Sequence, residues 1–329
     1  MKDFRTVLKL TPAIQTLDLD SRIITAGSCF SDMIGQRLAT FKIRALVNPF
    51  GTTYNPVSIH KTLLYALAGK MPSDITFLQR EDIHLNYDFH SAISATTRDQ
   101  LESQLRAAIM LAHDFLKSAT CMMITYGTSW VYQRQGPGEI VANCHKMPSS
   151  AFSKTLLTQK QVITSFDAFY RDLKKCNPAI RLVLTVSPVR HLKDTLTHNS
   201  VSKSLLRLCC HTITEQYPDV DYFPAYELMM DDLRDYRFYK SDMIHPSTDA
   251  EDYIWEQFLE RYAGASFRDF IKKWQVVQHA LRHKSFHPGS SGHQIFIQQT
   301  MQQLEELSHL VDVGKERQIL LEQLVNKRQ

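Results

Sequence analysis

No run in this chain approaches the about 18–20 apolar residues that a membrane-crossing helix requires, so no membrane partner is expected. The opening stretch, MKDFRTVLKLTPAIQTLDLD, lacks the uninterrupted apolar core of a secretory signal. The cytoplasm is therefore the expected compartment. Six cysteines (Cys29, Cys121, Cys144, Cys176, Cys209, Cys210) form no CxxC pair and no small-domain spacing. That argues against a disulfide framework and for reduced thiols. Charge of one sign is scarce too: 38 Lys and Arg face 34 Asp and Glu, a net +4 spread along the chain. Without a concentrated basic face, nucleic acid is not an expected partner. Internal repeats and low-complexity segments are likewise missing.

What is present suits a folded α/β protein. The 329 residues are 43% hydrophobic and 22% charged, ordinary proportions for a globular domain with a large core. Arg22-Ile23-Ile24-Thr25-Ala26-Gly27 reads as a buried strand ending in glycine, and Phe30, Met33, Ile34, Leu38 and Phe41 then recur at helical spacing. Further strands are expected at Met122–Tyr126, Leu182–Val186 and Val220–Phe223. Between them lie helix candidates: Val162, Phe166, Phe169 and Leu173 on one, Leu205, Leu208, Cys209 and Ile213 on the next. Strands alternating with helices predict a doubly wound, mostly parallel sheet with helices on both faces. Thr248-Asp249-Ala250-Glu251 has capping-box spacing and opens another helix. Past Tyr262 the pattern is all helical, and Ile297, Met301, Leu304 and Leu307 form one stripe beyond the turn His287–Gly292. The expected organisation is a main domain over 1–262 and a helical extension over 263–329. Its helices are the expected contact of a homo-oligomer.

Two short motifs at opposite ends of the main domain can carry chemistry. In Asp242-Met243-Ile244-His245, a carboxylate three residues before a histidine can accept one imidazole proton and leave the other nitrogen as a base. The plainer alternative is a surface histidine beside a helix-capping acid. At the other end, Ser28 and Cys29 stand where a strand turns into a helix, at the edge where open parallel sheets bind ligands. The helix dipole and free amides there favour an oxyanion or a thiolate. Either residue suits a nucleophile; equally, Ser28 suits a helix cap and Cys29 a small core residue. No G-x-S-x-G elbow occurs, which disfavours the α/β-hydrolase superfamily proper.

Gly27-Ser28-Cys29-Phe30, followed by Asn48-Pro49-Phe50-Gly51, resembles the GSCFA family. So do Gly127-Thr128-Ser129-Trp130, Asn143-Cys144-His145-Lys146, Ser187-Pro188-Val189-Arg190-His191 and Tyr236-Arg237-Phe238-Tyr239, in consistent order over roughly residues 20–260. Ser31 stands at the fifth motif position in place of alanine. The resemblance implies an SGNH (GDSL-like) hydrolase, with a flavodoxin-like three-layer α/β/α sandwich and C-terminal helices. It also implies ester hydrolysis without a cofactor. In that register Cys29 takes the place of the nucleophile and Ser28 precedes it, while His245 and Asp242 match the base and its orienting acid. Gly51 and Gly127 fall in the second and third blocks, and Ser129 replaces the asparagine expected as an oxyanion donor. Asn143 or His145 from the following loop is an alternative donor, or else part of an ordinary turn.

The resulting expectation is an esterase or deacylase acting on an acylated carbohydrate or similar polar ester. Acyl transfer to a glycan hydroxyl on the same site is an alternative, as is a non-catalytic carbohydrate- or ligand-binding module with a degenerate site. Asn143 and His145 lack two further ligands at metal-binding spacing, so no metal is expected. Tyr87, Phe89, Trp130 and Tyr132 fall in stretches expected to shape the pocket, where aromatics suit sugar stacking or, as their commoner use, core packing.

Overall fold

The computed structural model describes residues 6–136, 138–283, 285–288 and 290–325. They divide into two compact units, the first formed by 6–9, 22–37 and 45–257, the second by 10–21, 38–44 and 258–325.

The first unit is built on five strands, β1 (Arg22–Gly27), β2 (Arg44–Val47), β5 (Cys121–Tyr126), β9 (Arg181–Val186) and β10 (Val220–Tyr222), in the order β10-β9-β5-β1-β2. Strands β1, β5 and β9 are buried almost throughout, which explains their continuous apolar runs: helices cover both faces of a parallel sheet. Chain order across the sheet is that of a flavodoxin-like fold, and it reverses between β1 and β5. The parallel register sets Gly27 beside Thr125 and Thr125 beside Thr185. The residues that follow β1, β5 and β9 therefore emerge along one edge.

Two antiparallel additions interrupt the alternation. A hairpin joins β3 (Phe77–Arg80) to β4 (Ile83–Asn86), and β6 (Trp130–Arg134) pairs with both β7 (Ile140–Val141) and β8 (Phe152–Leu156). The second addition closes on itself where the Leu157 amide donates to the Ser129 carbonyl at 2.9 Å.

Helices α1 (Cys29–Thr40), α2 (Pro56–Ala68), α3 (Arg98–Leu116), α4 (Gln159–Cys176) and α5 (Thr195–Gln216) supply most of the cover. Helix α4 shows why they form. Thr158 and Gln161 close a capping box, and the 4-3-4 spacing buries Val162, Phe166, Phe169 and Leu173 completely. Burial of side chains this large contributes about 1.5–3 kcal/mol each. Helix α5 follows expectation in part. Cys209 and Ile213 are buried and Leu205 is half-buried as the spacing predicts, whereas Leu208 is 49% exposed. The buried face also takes in Leu206 and Cys210 and, in the first half of the helix, the polar Asn199, Ser202 and Lys203. After β10 come α6 (Ala225–Glu227) and α7 (Thr248–Tyr262). Ser247, rather than Thr248, accepts the amide of Ala250 at the start of α7.

The second unit holds α8 (Ala265–Arg282), α9 (Ser291–Leu307) and α10 (Gly314–Val325). Helix α8 buries Phe267, Phe270, Ile271, Trp274 and Val277, while Ile297, Leu304 and Leu307 form the buried stripe of α9. Residues 10–21 and 38–44 also belong here, which the sequence did not indicate. Leu17 bridges to Ala263, Trp274 Nε1 donates to the Thr40 carbonyl at 2.8 Å, and Lys42 pairs with Glu316 at 2.9 Å.

Candidate active site

The turn from β1 into α1 depends on glycine. Gly27 has φ +130°, and a Cβ there would stand 2.2 Å from the Thr125 carbonyl oxygen. Its amide donates to Asn48 Oδ1 at 2.8 Å, and Asn48 Nδ2 donates to Asp32 Oδ1 at 2.7 Å. Ser28 is 1% exposed, and its hydroxyl oxygen accepts the Phe30 amide at 3.3 Å, as an N-cap does. Cys29, the first residue of α1, is half-buried. Ser31 Oγ lies 3.0 Å from the Ala26 carbonyl and 2.7 Å from Thr125 Oγ1, so the hydroxyl that replaces alanine laces α1 to β1 and β5.

Opposing fields act on the Cys29 thiol. On balance its pKa is raised, by burial foremost and by the Asp32 carboxylate, against the amides of Cys29 and Phe30 and the Lys203 ammonium, which pull it down. Burial also raises Asp32, against the Asn48 hydrogen bond and His90. Tyr54 is raised by burial and further by Cys29 and Asp32.

The Asp242–His245 pair forms as its spacing suggests. Asp242 Oδ2 meets His245 Nδ1 at 2.7 Å, and Oδ1 accepts the amides of Ile244 at 2.8 Å and His245 at 3.0 Å. These three bonds hold the Asp242 carboxyl down at about 2, the His245 amide contributing most. Met243, at φ +58°, makes the bend. The loop is fastened at its base by the Lys240 amide on the His245 carbonyl at 2.8 Å. It meets the segment after β9 through the Arg190 amide, which donates to the Ile244 carbonyl at 3.2 Å. The Arg190 guanidinium lies over the Tyr239 ring at 3.9 Å. Among the described residues, neither Ser28 Oγ nor Cys29 Sγ hydrogen bonds to His245.

The residues expected to complete an oxyanion hole are committed elsewhere. Gly51 donates its amide to the Asn48 carbonyl at 2.8 Å, and Gly127 donates its own to the Tyr54 carbonyl at 2.7 Å. Ser129 is fully buried, its amide on Ser202 Oγ at 2.7 Å and its hydroxyl 3.0 Å from the same oxygen. Asn143 and His145 form an ordinary turn. Asn143 Oδ1 accepts the His145 amide at 2.8 Å, and His145 is 4% exposed with Nε2 on the Asn86 carbonyl at 2.8 Å. Burial lowers the His145 pKa. Tyr87 and Phe89 are core residues, whereas Trp130 and Tyr132 stay half-buried.

Sequence reasoning missed Lys203 altogether. It is 1% exposed on α5, and its Nζ donates to the carbonyls of Gly127 at 2.8 Å and Ser187 at 2.7 Å, just past β5 and β9. The signal was there: Lys203 shares a face with Asn199, Leu206, Cys210 and Ile213 at helical spacing. Among the described residues no group of three or more His, Cys, Asp or Glu can hold a metal ion. Nor is any described helix long and apolar enough to cross a membrane.

A five-stranded parallel sheet flanked by helices, with a cysteine on the first strand–helix turn and an Asp–His pair before α7, defines an open-sheet α/β protein with its polar residues at the carboxyl edge. The chain belongs to the GSCFA family, whose model matches residues 22–258. Residues 274–326 match a second model, described as the C-terminal domain of GSCFA domain proteins. No curated protein matches the chain. Among solved structures it is similar to one described as "a putative platelet activating factor from Streptococcus pneumonia", at 11% identity and TM-score 0.38, over 73% of this chain and 84% of that one.

Proposed function

We propose that the chain is an SGNH-type ester hydrolase that removes an acyl group from a carbohydrate or similar polar ester. The observation that carries this reading is the Asp242–His245 pair. Its 2.7 Å bond to Nδ1 fixes one nitrogen and leaves Nε2 to act as a base. Cys29, at the amino end of α1, supplies the nucleophile. Its sulfur attacks the ester carbonyl as His245 Nε2 takes the thiol proton. Collapse of the tetrahedral intermediate expels the alkoxide, which receives that proton, and leaves an S-acyl enzyme. Water, deprotonated by His245, then releases the acid and restores the thiol. Tyr54, 36% exposed, and the half-buried Trp130 offer rings for a sugar face.

The test is turnover of p-nitrophenyl acetate and acetylated sugars. Cys29→Ala and His245→Ala are expected to lose about a thousandfold or more. Ser28→Ala should keep turnover and lose about 1 kcal/mol of stability as a cap. Unchanged turnover in Cys29→Ala or in His245→Ala would sink the assignment. Adding a sugar acceptor and analysing the products separates hydrolysis from acyl transfer.

A second reading, a non-catalytic carbohydrate-binding module, is favoured by the lack of a hydrogen bond from Cys29 to His245. The commitment of Gly51, Gly127 and Ser129 donors to the protein itself also favours it. Calorimetric binding of an acetylated sugar that is never turned over would select it.

A further inference from the structure

The segment that follows β9 runs Ser187-Pro188-Val189-Arg190-His191, and Arg190 takes no part in the chemistry above. Its backbone is fixed beside the base, where the Arg190 amide donates to the Ile244 carbonyl at 3.2 Å. Its side chain is fixed there too. The guanidinium lies 3.9 Å over the Tyr239 ring and 5.3 Å over the Tyr236 ring. Tyr239 in turn bridges to Pro246. Arg190 therefore meets, directly or through Tyr239, the residues on both sides of His245.

Among the described residues no carboxylate forms an ion pair with Arg190. The two acids that flank Tyr236–Tyr239 are taken up elsewhere, Asp235 by Arg237 at 3.1 Å and Asp242 by His245 at 2.7 Å. The rings satisfy the face of the guanidinium, and Arg190 also acts on the Tyr239 hydroxyl, opposing the rise in pKa that burial gives it. The remaining N–H donors lie in the plane of the group, in a fork that fits carboxylate or phosphate oxygens. Packing does not call for the charge, because a methionine would cover the same ring. A half-buried cation held still by two rings and left without an anion suits an anion that the substrate brings.

We propose that Arg190 is a substrate-binding residue beside His245, receiving the carboxylate or phosphate of an acidic sugar whose acyl ester meets Cys29. The inference rests on the hydrolase reading for the ester and not for the anion. Tyr236, 65% exposed, walls the outer side with an aromatic ring. The substrate class narrows accordingly, from polar esters in general to acylated acidic sugars. Charge-assisted hydrogen bonds at the anion fix the orientation of the sugar while its ester reacts.

The test is calorimetric titration of the protein at low salt with glucuronate, glucose 6-phosphate and neutral glucose. Wild type is expected to bind at least one of the anions about tenfold or more tighter than glucose, and the tighter anion names the group. Arg190→Met, which keeps the cover on Tyr239, should erase that preference. Arg190→Lys, which keeps the charge and loses the fork, should retain only part of it. Equal binding of anions and glucose by wild type, or an undiminished preference in a folded Arg190→Met protein, would overturn the proposal. If that variant does not fold, the Nε–Hε resonance of Arg190 in wild type, assigned by its loss in Arg190→Lys, decides. A signal that shifts with either anion supports the subsite, and one that stays in place overturns it. Anion binding that depends on Arg190, without turnover of any acetylated sugar, would sink the hydrolase reading and leave the subsite standing. Acetylated neutral and acidic sugars turned over with equal kcat/KM, and only while Cys29 is present, would sink the subsite and leave the hydrolase.

Discussion

Asp242 holds His245 by the ring and by the backbone at once, with Oδ2 on Nδ1 at 2.7 Å and Oδ1 on the amide at 3.0 Å. The ring cannot turn without breaking a bond to a carboxylate that the backbone keeps in place. Asp242→Asn should therefore lower kcat/KM for p-nitrophenyl acetate by about a hundredfold or more, through loss of the correct tautomer. The folded pKa of Asp242 is depressed from 3.8 to about 2. Its contribution is present above the higher value and fades as pH falls through the lower one. Nitrogen-resolved NMR of His245 should show Nδ1–H hydrogen bonded at pH values down to about 4 in wild type. Rapid exchange of that proton at neutral pH would contradict the arrangement.

His60 predicts a different pH response. It is fully buried, bonded through Nδ1 to Ser165 Oγ at 2.9 Å and through Nε2 to Tyr126 OH at 2.7 Å, and stacked on Phe169 at 5.4 Å. Burial lowers its pKa from 6.5 to about 3. The unfolded chain binds the extra proton, so stability is full above the higher value and falls as the medium is acidified toward the lower. The total loss is about 5 kcal/mol. Urea midpoints across this range should flatten in His60→Gln, which titrates nothing. An equal slope in both proteins would remove His60 as the cause.

Ser202 receives the buried Ser129 amide at 2.7 Å. Ser202→Ala leaves that donor without a partner and should cost about 1–3 kcal/mol in urea unfolding. A neutral substitution would mean that the β5–β6 connection relaxes to find another acceptor.

Gly27→Ala should be far harsher than most Gly→Ala changes. The new Cβ would press within 2.2 Å of the Thr125 carbonyl at φ +130°. Strain and overpacking together predict about 3 kcal/mol or more. A thermal melt near that of wild type would show that the turn has another conformation open to it.

Legibility followed the range of each signal. Strands β1, β5 and β9 could be read because burial on both faces makes them continuous apolar runs, and α4 because its 4-3-4 spacing is local. The β6–β8 addition could not. Strand β7 has only two residues, and Ser153 and Lys154 in β8 face solvent, so neither carries a periodicity. Helix α5 was legible at Cys209 and Ile213 but not over its first half, where a buried lysine and serine look polar in sequence while packing as core. At the site, the Asp242–His245 bond spans three residues and is nearly predetermined by spacing. The fate of the Gly51 amide is not. It depends on Asn48 adopting φ +39° and turning its carbonyl back on the chain, which no residue pattern announces.

The closed excursion that leaves the sheet at Ser129 and returns at Leu157 separates two kinds of change. The Ser129–Leu157 backbone bond at its neck is backed by side chains: Ser202 holds Ser129, and Val131 packs with Leu157, Val162 and Cys209. These contacts tie the excursion to α4 and α5 and leave only its outward rings free to vary. Exchanging only those outward-facing side chains for another family member's would be expected to alter what the protein holds while leaving its melting behaviour almost as it was.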